Sequence, residues 1–255
     1  GINMEGLRGG TFSPADGSAS PLRSVNAFYH RAKKLGADFR FKEEVEQIVV
    51  REGKVQGVKA RSVTYSAPVV VDAAGPFSKT VCETAGVHVP VTPDSHEAAI
   101  TEPVKSFFTT MVVDLRPGPD SKNYYFYQNS LGQIVFCITP EPLIVGNDRR
   151  ETSLFLPQVG ARMVRLLPRL KNLRVRRMWR GLYPMTPDGS PLVGWNTQVQ
   201  GLLHATGMCG QGFMLGPGVG QVVARMITGK TTEQDKVMLQ GFDPYRKFGG
   251  GEALK

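Results

Sequence analysis

The stretch Leu202-Leu203-His204-Ala205-Thr206-Gly207-Met208-Cys209-Gly210-Gln211-Gly212-Phe213-Met214-Leu215-Gly216-Pro217-Gly218-Val219-Gly220 decides how the chain is read. Leu202 to Ala205 has the apolar texture of a short strand, Thr206 to Gly212 is a glycine-rich loop, and a helix is predicted from about Pro217 to Ile227, closed by Gly229. Bare N–H groups at a helix start form a site for negative charge. The run from Gly216 to Gly220 does not follow a strand directly, so it is not a dinucleotide fingerprint. A tight packing turn between strand and helix explains the glycines equally well.

Working backwards, Val69-Val70-Val71-Asp72-Ala73-Ala74-Gly75 reads as a strand buried on both faces, and Pro76 then opens a helix carrying Phe77, Val81 and Ala85. Ser20-Pro21 is an N-cap with proline in the first turn, followed by Leu22, Val25, Tyr29 and Ala32 at helical spacing up to Gly36. Ala37 to Phe41 looks like a short strand. Val45 to Val50 and Val55 to Ala60 are strands joined at Glu52-Gly53-Lys54, and Val63 to Ala67 continues the meander. Between Val87 and Arg180 alternating segments predict an antiparallel sheet, interrupted by one helix near Gln158 to Leu167. The fold class is therefore mixed α/β and α+β: a sheet domain over 1–86 and 181–230, an inserted antiparallel-sheet domain over 87–180, and a tail over 231–255 whose Gly249-Gly250-Gly251 run is expected to be disordered.

Composition narrows the class further. The 255 residues are 41% hydrophobic and 21% charged, ordinary for a globular protein. No apolar run approaches the roughly 18–20 residues that cross a bilayer, and Gly1 to Gly10 lack the apolar core of a secretion signal. Three scattered cysteines, Cys82, Cys137 and Cys209, form no C-x-x-C pair; no metal site is expected, and a reducing, cytoplasmic setting fits them. The net charge of +9 comes from 31 basic and 22 acidic residues, spread along the chain except between Arg162 and Arg180. With no recognisable nucleic-acid motif, that charge reads as a solvated basic face or as attraction for a small anion, and no nucleic-acid partner is expected.

Four ordered motifs carry a resemblance: Phe12-Ser13-Pro14-Ala15-Asp16-Gly17, the strand ending Val71-Asp72-Ala73-Ala74-Gly75, the segment Gly181-Leu182-Tyr183-Pro184-Met185-Thr186-Pro187-Asp188-Gly189, and the glycine loop. Together, from about Gly9 to Gly229, they resemble the D-amino-acid oxidase superfamily, which includes sarcosine oxidase, glycine oxidase, dimethylglycine dehydrogenase and dye-linked proline dehydrogenase. The resemblance implies an FAD-dependent oxidoreductase that oxidises a small-molecule amine or amino acid to an imine. It implies that Val45 lies by the adenine, that Ala73, Ala74 and Gly75 line the dinucleotide, and that Gly207, Met208, Cys209, Gly210, Gln211, Gly212, Phe213 and Met214 pass the flavin ring. There, N–H groups would meet the negative charge that arrives on reduction.

The substrate residues implied are less uniform. Relatives that grip a carboxylate with an arginine after Gly-Leu carry it where this chain has Tyr183, which points toward the sarcosine, dimethylglycine and proline branch. Arg180 is a possible substitute, with an ion-paired strand arginine as the plainer account. Tyr125 and Tyr127 share one face of a predicted strand, as a pocket roof or as ordinary strand packing. His96 corresponds to a polar position near the flavin in several relatives, or is a satisfied structural histidine. The family's opening strand–Gly-x-Gly-x-x-Gly–helix has no counterpart here. The expectation is a C-terminal fragment, or a subunit whose partner chain supplies that segment, binding FAD weakly or not at all by itself; the alternative is a non-catalytic scaffold with an incomplete flavin site.

Overall fold

In the computed structural model, residues 1–250 are described; Gly251, the last glycine of the expected disordered run, lies outside them. Among the described residues the α-helices and β-strands follow in chain order. First come α1 (Pro21–Lys34), β1 (Val45–Arg51), β2 (Lys54–Ala60), β3 (Thr64–Ser66), β4 (Val70–Asp72) and α2 (Ser78–Glu83). Then come β5 (Thr92–Thr101), β6 (Val112–Asp114), β7 (Ser121–Gln128), β8 (Ile134–Pro140), α3 (Phe155–Leu166) and β9 (Val175–Met185). The chain ends with β10 (Leu192–Trp195), β11 (Leu202–Thr206), α4 (Gly212–Ile227) and α5 (Glu233–Phe242).

Two compact units result. One takes Gly1–Ser18 and Pro93–Leu182; the other takes Ala19–Thr92 and residues 183–250. The first unit is built on the five-stranded sheet β6-β7-β8-β5-β9. Alternation along β7 turns Tyr124 and Phe126 inward, where they pack with Phe136, Ile138 and the Phe155, Val159 and Met163 face of α3. Tyr125 and Tyr127 therefore stand on the opposite face.

The second unit holds two small sheets. In β1-β2-β3 the first hairpin turns on Glu52 and Gly53, both with positive φ (49° and 71°), as a two-residue turn matched to strand twist demands. In β10-β11-β4, β10 pairs antiparallel with β11, and β11 pairs parallel with β4 through Leu202↔Val70 and His204↔Asp72. Ile48, Val55, Val87, Val89, Leu192 and Leu202 close its core.

Several boundaries depart from the sequence expectation. Ala37 to Phe41 forms no strand, because no ladder partner lies beside it. α4 begins at Gly212, five residues early, and carries Pro217 in its second turn, so the expected loop is partly helix. Residues 231–250 are not all tail: Thr232 caps α5 in a reciprocal box with Asp235, a T-x-x-D signal that was available in the sequence. No helix among the described residues is long and apolar enough to cross a membrane.

Candidate functional site

Because β4 and β11 run parallel, the chain leaves both at the same edge of their sheet. Ala73-Ala74-Gly75 follows one strand and Gly207 to Met214 follows the other. Ligands of open parallel sheets bind outside such carboxyl ends, where backbone amides are bare. The two turns are joined directly, since Thr206 Oγ1 donates to the Gly75 carbonyl at 3.3 Å.

A buried polar cluster fixes this edge. Asp72 Oδ1 accepts from the Ala74 N–H (3.1 Å) and Ser78 Oγ (2.9 Å), while Oδ2 accepts from Cys82 Sγ (3.3 Å) and faces His204 Nδ1 (3.4 Å). The histidine tautomer follows from its other neighbour. Asn196 Oδ1 already accepts the Gln198 and Val199 N–H groups, so its Nδ2 donates to His204 Nε2 at 3.1 Å. Nε2 is thus the acceptor and Nδ1 carries the proton toward Asp72. Burial alone would raise the Asp72 pKa, but donors from His204, Ala74, Ser78 and Cys82 outweigh it and hold the carboxyl below its ordinary value. Burial, then the Asp72 charge, push the Cys82 thiol well up, so it stays protonated as a donor. Asp72, Cys82 and His204 have ligand atoms close enough for a metal ion. The same three side chains are joined by hydrogen bonds through Asp72 Oδ2.

The second turn is shaped by backbone. Gly207 (φ 65°) and Cys209 (φ 51°) are left-handed, and a Cβ on Gly207 would lie 2.5 Å from Thr186 Cγ2. Cys209 N donates to the Pro184 carbonyl at 3.2 Å, which ties the loop to the Tyr183–Gly189 segment. That segment is itself pinned: Arg246 donates to both oxygens of Asp188 (2.7 and 2.8 Å) and to the Ser190 and Pro191 carbonyls, and the guanidinium holds Asp188 below the usual carboxylate range. At the start of α4 no side chain caps the helix and no acidic residue occupies the first turn, so the N–H groups of Gly212, Phe213 and Met214 face outward as a positive pole. Gly207 and Cys209 are buried, whereas Gly210, Phe213 and Met214 are exposed. These features suit an anionic, planar group such as a flavin dinucleotide. Gly212 does not leave open space, because a Cβ there would meet Met208 Cβ at 3.1 Å. Val45, expected by the adenine, is the partly exposed first residue of β1, in the other small sheet of its unit.

In the sheet unit, Tyr125 and Tyr127 are half-buried on the face away from α3, opposite Cys137 and Val135 of β8. Burial raises the Tyr127 pKa. The Cys137 thiol, which bonds Tyr125, is pushed up to about 12, mainly by burial. His96, on the same side of β5 as Ala98, is buried and bonds Asp94 Oδ2 through Nε2 at 2.9 Å; sequence reasoning noticed the histidine but not its carboxylate partner two residues earlier. Arg180 is half-buried and donates Nη1 to the Arg150 carbonyl at 3.0 Å, and its buried Nε has no hydrogen-bond partner among the described residues. The nearby carboxylate of Asp148 is taken by Arg150. β7 and β9 are three strand spacings apart, about 14 Å, so the tyrosines and Arg180 are not neighbours. Tyr183 belongs to the other unit and is half-buried.

Comparison with known proteins adds the following. A family model described as "FAD dependent oxidoreductase" matches residues 2–226. A D-amino acid dehydrogenase of Allorhizobium ampelinum is 27% identical over 239 residues, covering 91% of this chain and 53% of that protein. A glycine oxidase of Pseudomonas putida is 28% identical over 186 residues, covering 73% of this chain and 48% of that protein. The crystal structure of an L-proline dehydrogenase from P. horikoshii superposes with a TM-score of 0.83 at 31% identity, covering 91% of this chain and 61% of the other. The chain spans about half the length of the curated relatives it matches.

Proposed function

Because this chain belongs to the FAD-dependent oxidoreductase family, we propose that it supplies the substrate sheet and half of the flavin site of an enzyme that oxidises an amine or amino acid of the sarcosine, glycine, dimethylglycine or proline type to an imine. One observation carries the cofactor half of the proposal: the parallel pairing of β4 with β11 puts the Ala73–Gly75 turn and the Gly207–Met214 turn at one sheet edge, ending in an uncapped helix start. When bound there, FAD supplies the hydride acceptor.

The chain's own residues do the rest. The N–H groups of Gly212, Phe213 and Met214 offer fixed positive potential to a planar anion without rearranging. Asp72 holds the Ala74 amide, and through it the turn that lines the dinucleotide. Arg180, with no carboxylate of its own, anchors the substrate carboxylate, while Tyr125 and Tyr127, about 14 Å away across the sheet, form a half-buried aromatic surface beyond the reach of that small molecule.

The proposal is tested on the holoenzyme under anaerobic conditions by following flavin bleaching with sarcosine, glycine, proline and D-alanine. Bleaching by none of them would refute it. Arg180→Gln is expected to raise KM at least about tenfold with a smaller change in kcat, since a charge-assisted hydrogen bond contributes about 1.5–3 kcal/mol. An unchanged KM would remove Arg180 from the substrate site.

A further inference from the structure

A long irregular stretch separates β5 from β6. Residues 102–111 form neither helix nor strand, yet one side chain specifies their shape. Gln128, buried at the end of β7, accepts the Phe107 N–H on Oε1 (3.0 Å) and donates Nε2 to the Val104 and Gly132 carbonyls (3.3 and 2.9 Å). A buried amide is costly unless its groups are used, and here they are, so the loop is held rather than slack. What it holds open is a cavity of about 260 Å³ on the α3 side of the sheet. Buried Phe126 forms the floor and half-buried Phe107 and Phe108 the walls, with Phe107–Phe108 and Phe108–Phe126 ring centroids 4.9 and 5.3 Å apart, edge to face. Ile2, Val112 and Leu167 add aliphatic lining. Thr110 and Arg169 are exposed and stand at the mouth, the Arg169 guanidinium 4.4 Å from the Phe107 ring centroid. No acidic side chain lines the cavity, and no carboxylate among the described residues pairs with Arg169. From Thr152 to Leu182 the chain carries arginines and a lysine but no aspartate or glutamate, so the approach to the mouth presents positive charge.

We propose that this cavity binds a small aromatic carboxylate, its ring among the phenylalanines and its carboxylate on Arg169. Aromatic rings favour further rings at such offsets, and an apolar pocket with one convergent cation sets both the body and the head of its ligand. Stacking on Phe107 occupies a face of the guanidinium and leaves its N–H edge free to donate to both carboxylate oxygens. An amino acid fits less well, because its ammonium would enter beside a guanidinium with no acidic group to receive it. A neutral arene would gain the rings and forgo the cation. The cavity lies on the face opposite Tyr125 and Tyr127 and makes no use of the flavin loop, so this inference and the flavoprotein reading stand or fall separately.

The full chain is titrated with naphthoate, whose own fluorescence reports binding, and with naphthalenemethanol as its neutral counterpart. The expected result is saturation at one molecule per chain with a Kd of about 1 mM or tighter, ordinary for a ligand of that size. The alcohol should bind at least about tenfold more weakly, as should naphthoate to Arg169→Gln, since both lose the charge-assisted hydrogen bonds. In Arg169→Gln the preference for the acid should vanish, and Arg169→Lys should restore part of it. Thr110→Trp should fill the mouth and block both molecules, whereas Lys171→Gln, an exposed cation outside the lining, should change nothing. All three positions are exposed, so the variants leave the core of the unit intact. Three results would each overturn the proposal: no saturation, equal affinity for acid and alcohol, or naphthoate binding that survives both Arg169→Gln and Thr110→Trp and therefore lies elsewhere.

Discussion

Replacing Asp72 by alanine tests the account of the sheet edge most severely. The substitution strips four donors of their acceptor: the Ala74 N–H, Ser78 Oγ, Cys82 Sγ and His204 Nδ1. Ser78 keeps Thr206 as a partner, and Ala74 is only half-buried, so neither is fully orphaned. Cys82 and His204 have no such escape; both are essentially without solvent contact, and Asn196 locks the tautomer of His204. A buried donor left unsatisfied costs about 1–3 kcal/mol, toward the upper end when its lost partner was charged, and two such donors remain here. The expected loss is therefore about 3–5 kcal/mol, a large share of the roughly 5–15 kcal/mol that holds a domain together. Urea unfolding followed by tryptophan fluorescence measures it, and hydrogen exchange at Ala74 should accelerate even in Asp72→Asn, which keeps one carbonyl oxygen and should lose about 2 kcal/mol. A loss under about 1 kcal/mol for the alanine variant would show that the cluster is not holding the edge.

Two further outcomes follow from the geometry. Gly207→Ala is expected to cost about 1–3 kcal/mol, through a left-handed backbone and a clash with Thr186 Cγ2, and to lower Tm by several degrees; an unchanged Tm would refute the tight approach. Asp188 has its folded pKa depressed, first by Arg246, so its contribution is fully present above the unfolded value of about 3.9 and is lost as pH falls through the lower, folded value. Asp188→Asn should accordingly reduce stability at pH 7 and flatten its decline below about pH 4, as read from denaturation midpoints across that range.

What the amino-acid order revealed divides along physical lines. α1 was legible because Ser20, Pro21 and a 3.6-residue apolar period agree locally, and its cap is formed as expected by Ser20 accepting from the Arg23 N–H. The β1–β2 hairpin was legible for the same reason, through Glu52-Gly53. The start of α4 was hidden because Pro217 normally marks a first turn and here sits in the second. Ala37 to Phe41 was misread because a strand is a property of a pair, and periodicity reports only one member. The glycine loop was singled out correctly as special backbone, but the buried cluster at the same sheet edge joins Asp72 to His204 across 132 positions and leaves no spacing signal. Tyr125 and Tyr127 were placed on one face by alternation alone; their distance from Arg180 depended on strand order, which alternation does not encode.

Arg246 sits only a few residues beyond α5, yet its guanidinium spans 55 to 58 positions back to Asp188, Ser190 and Pro191. That clasp makes the chain's far end part of the scaffolding under Thr186, and through Thr186 part of what shapes the Gly207 bend. Cutting after Phe242 would therefore loosen the distant bend at Gly207, and anyone shortening the protein should place the scissors beyond the clasp.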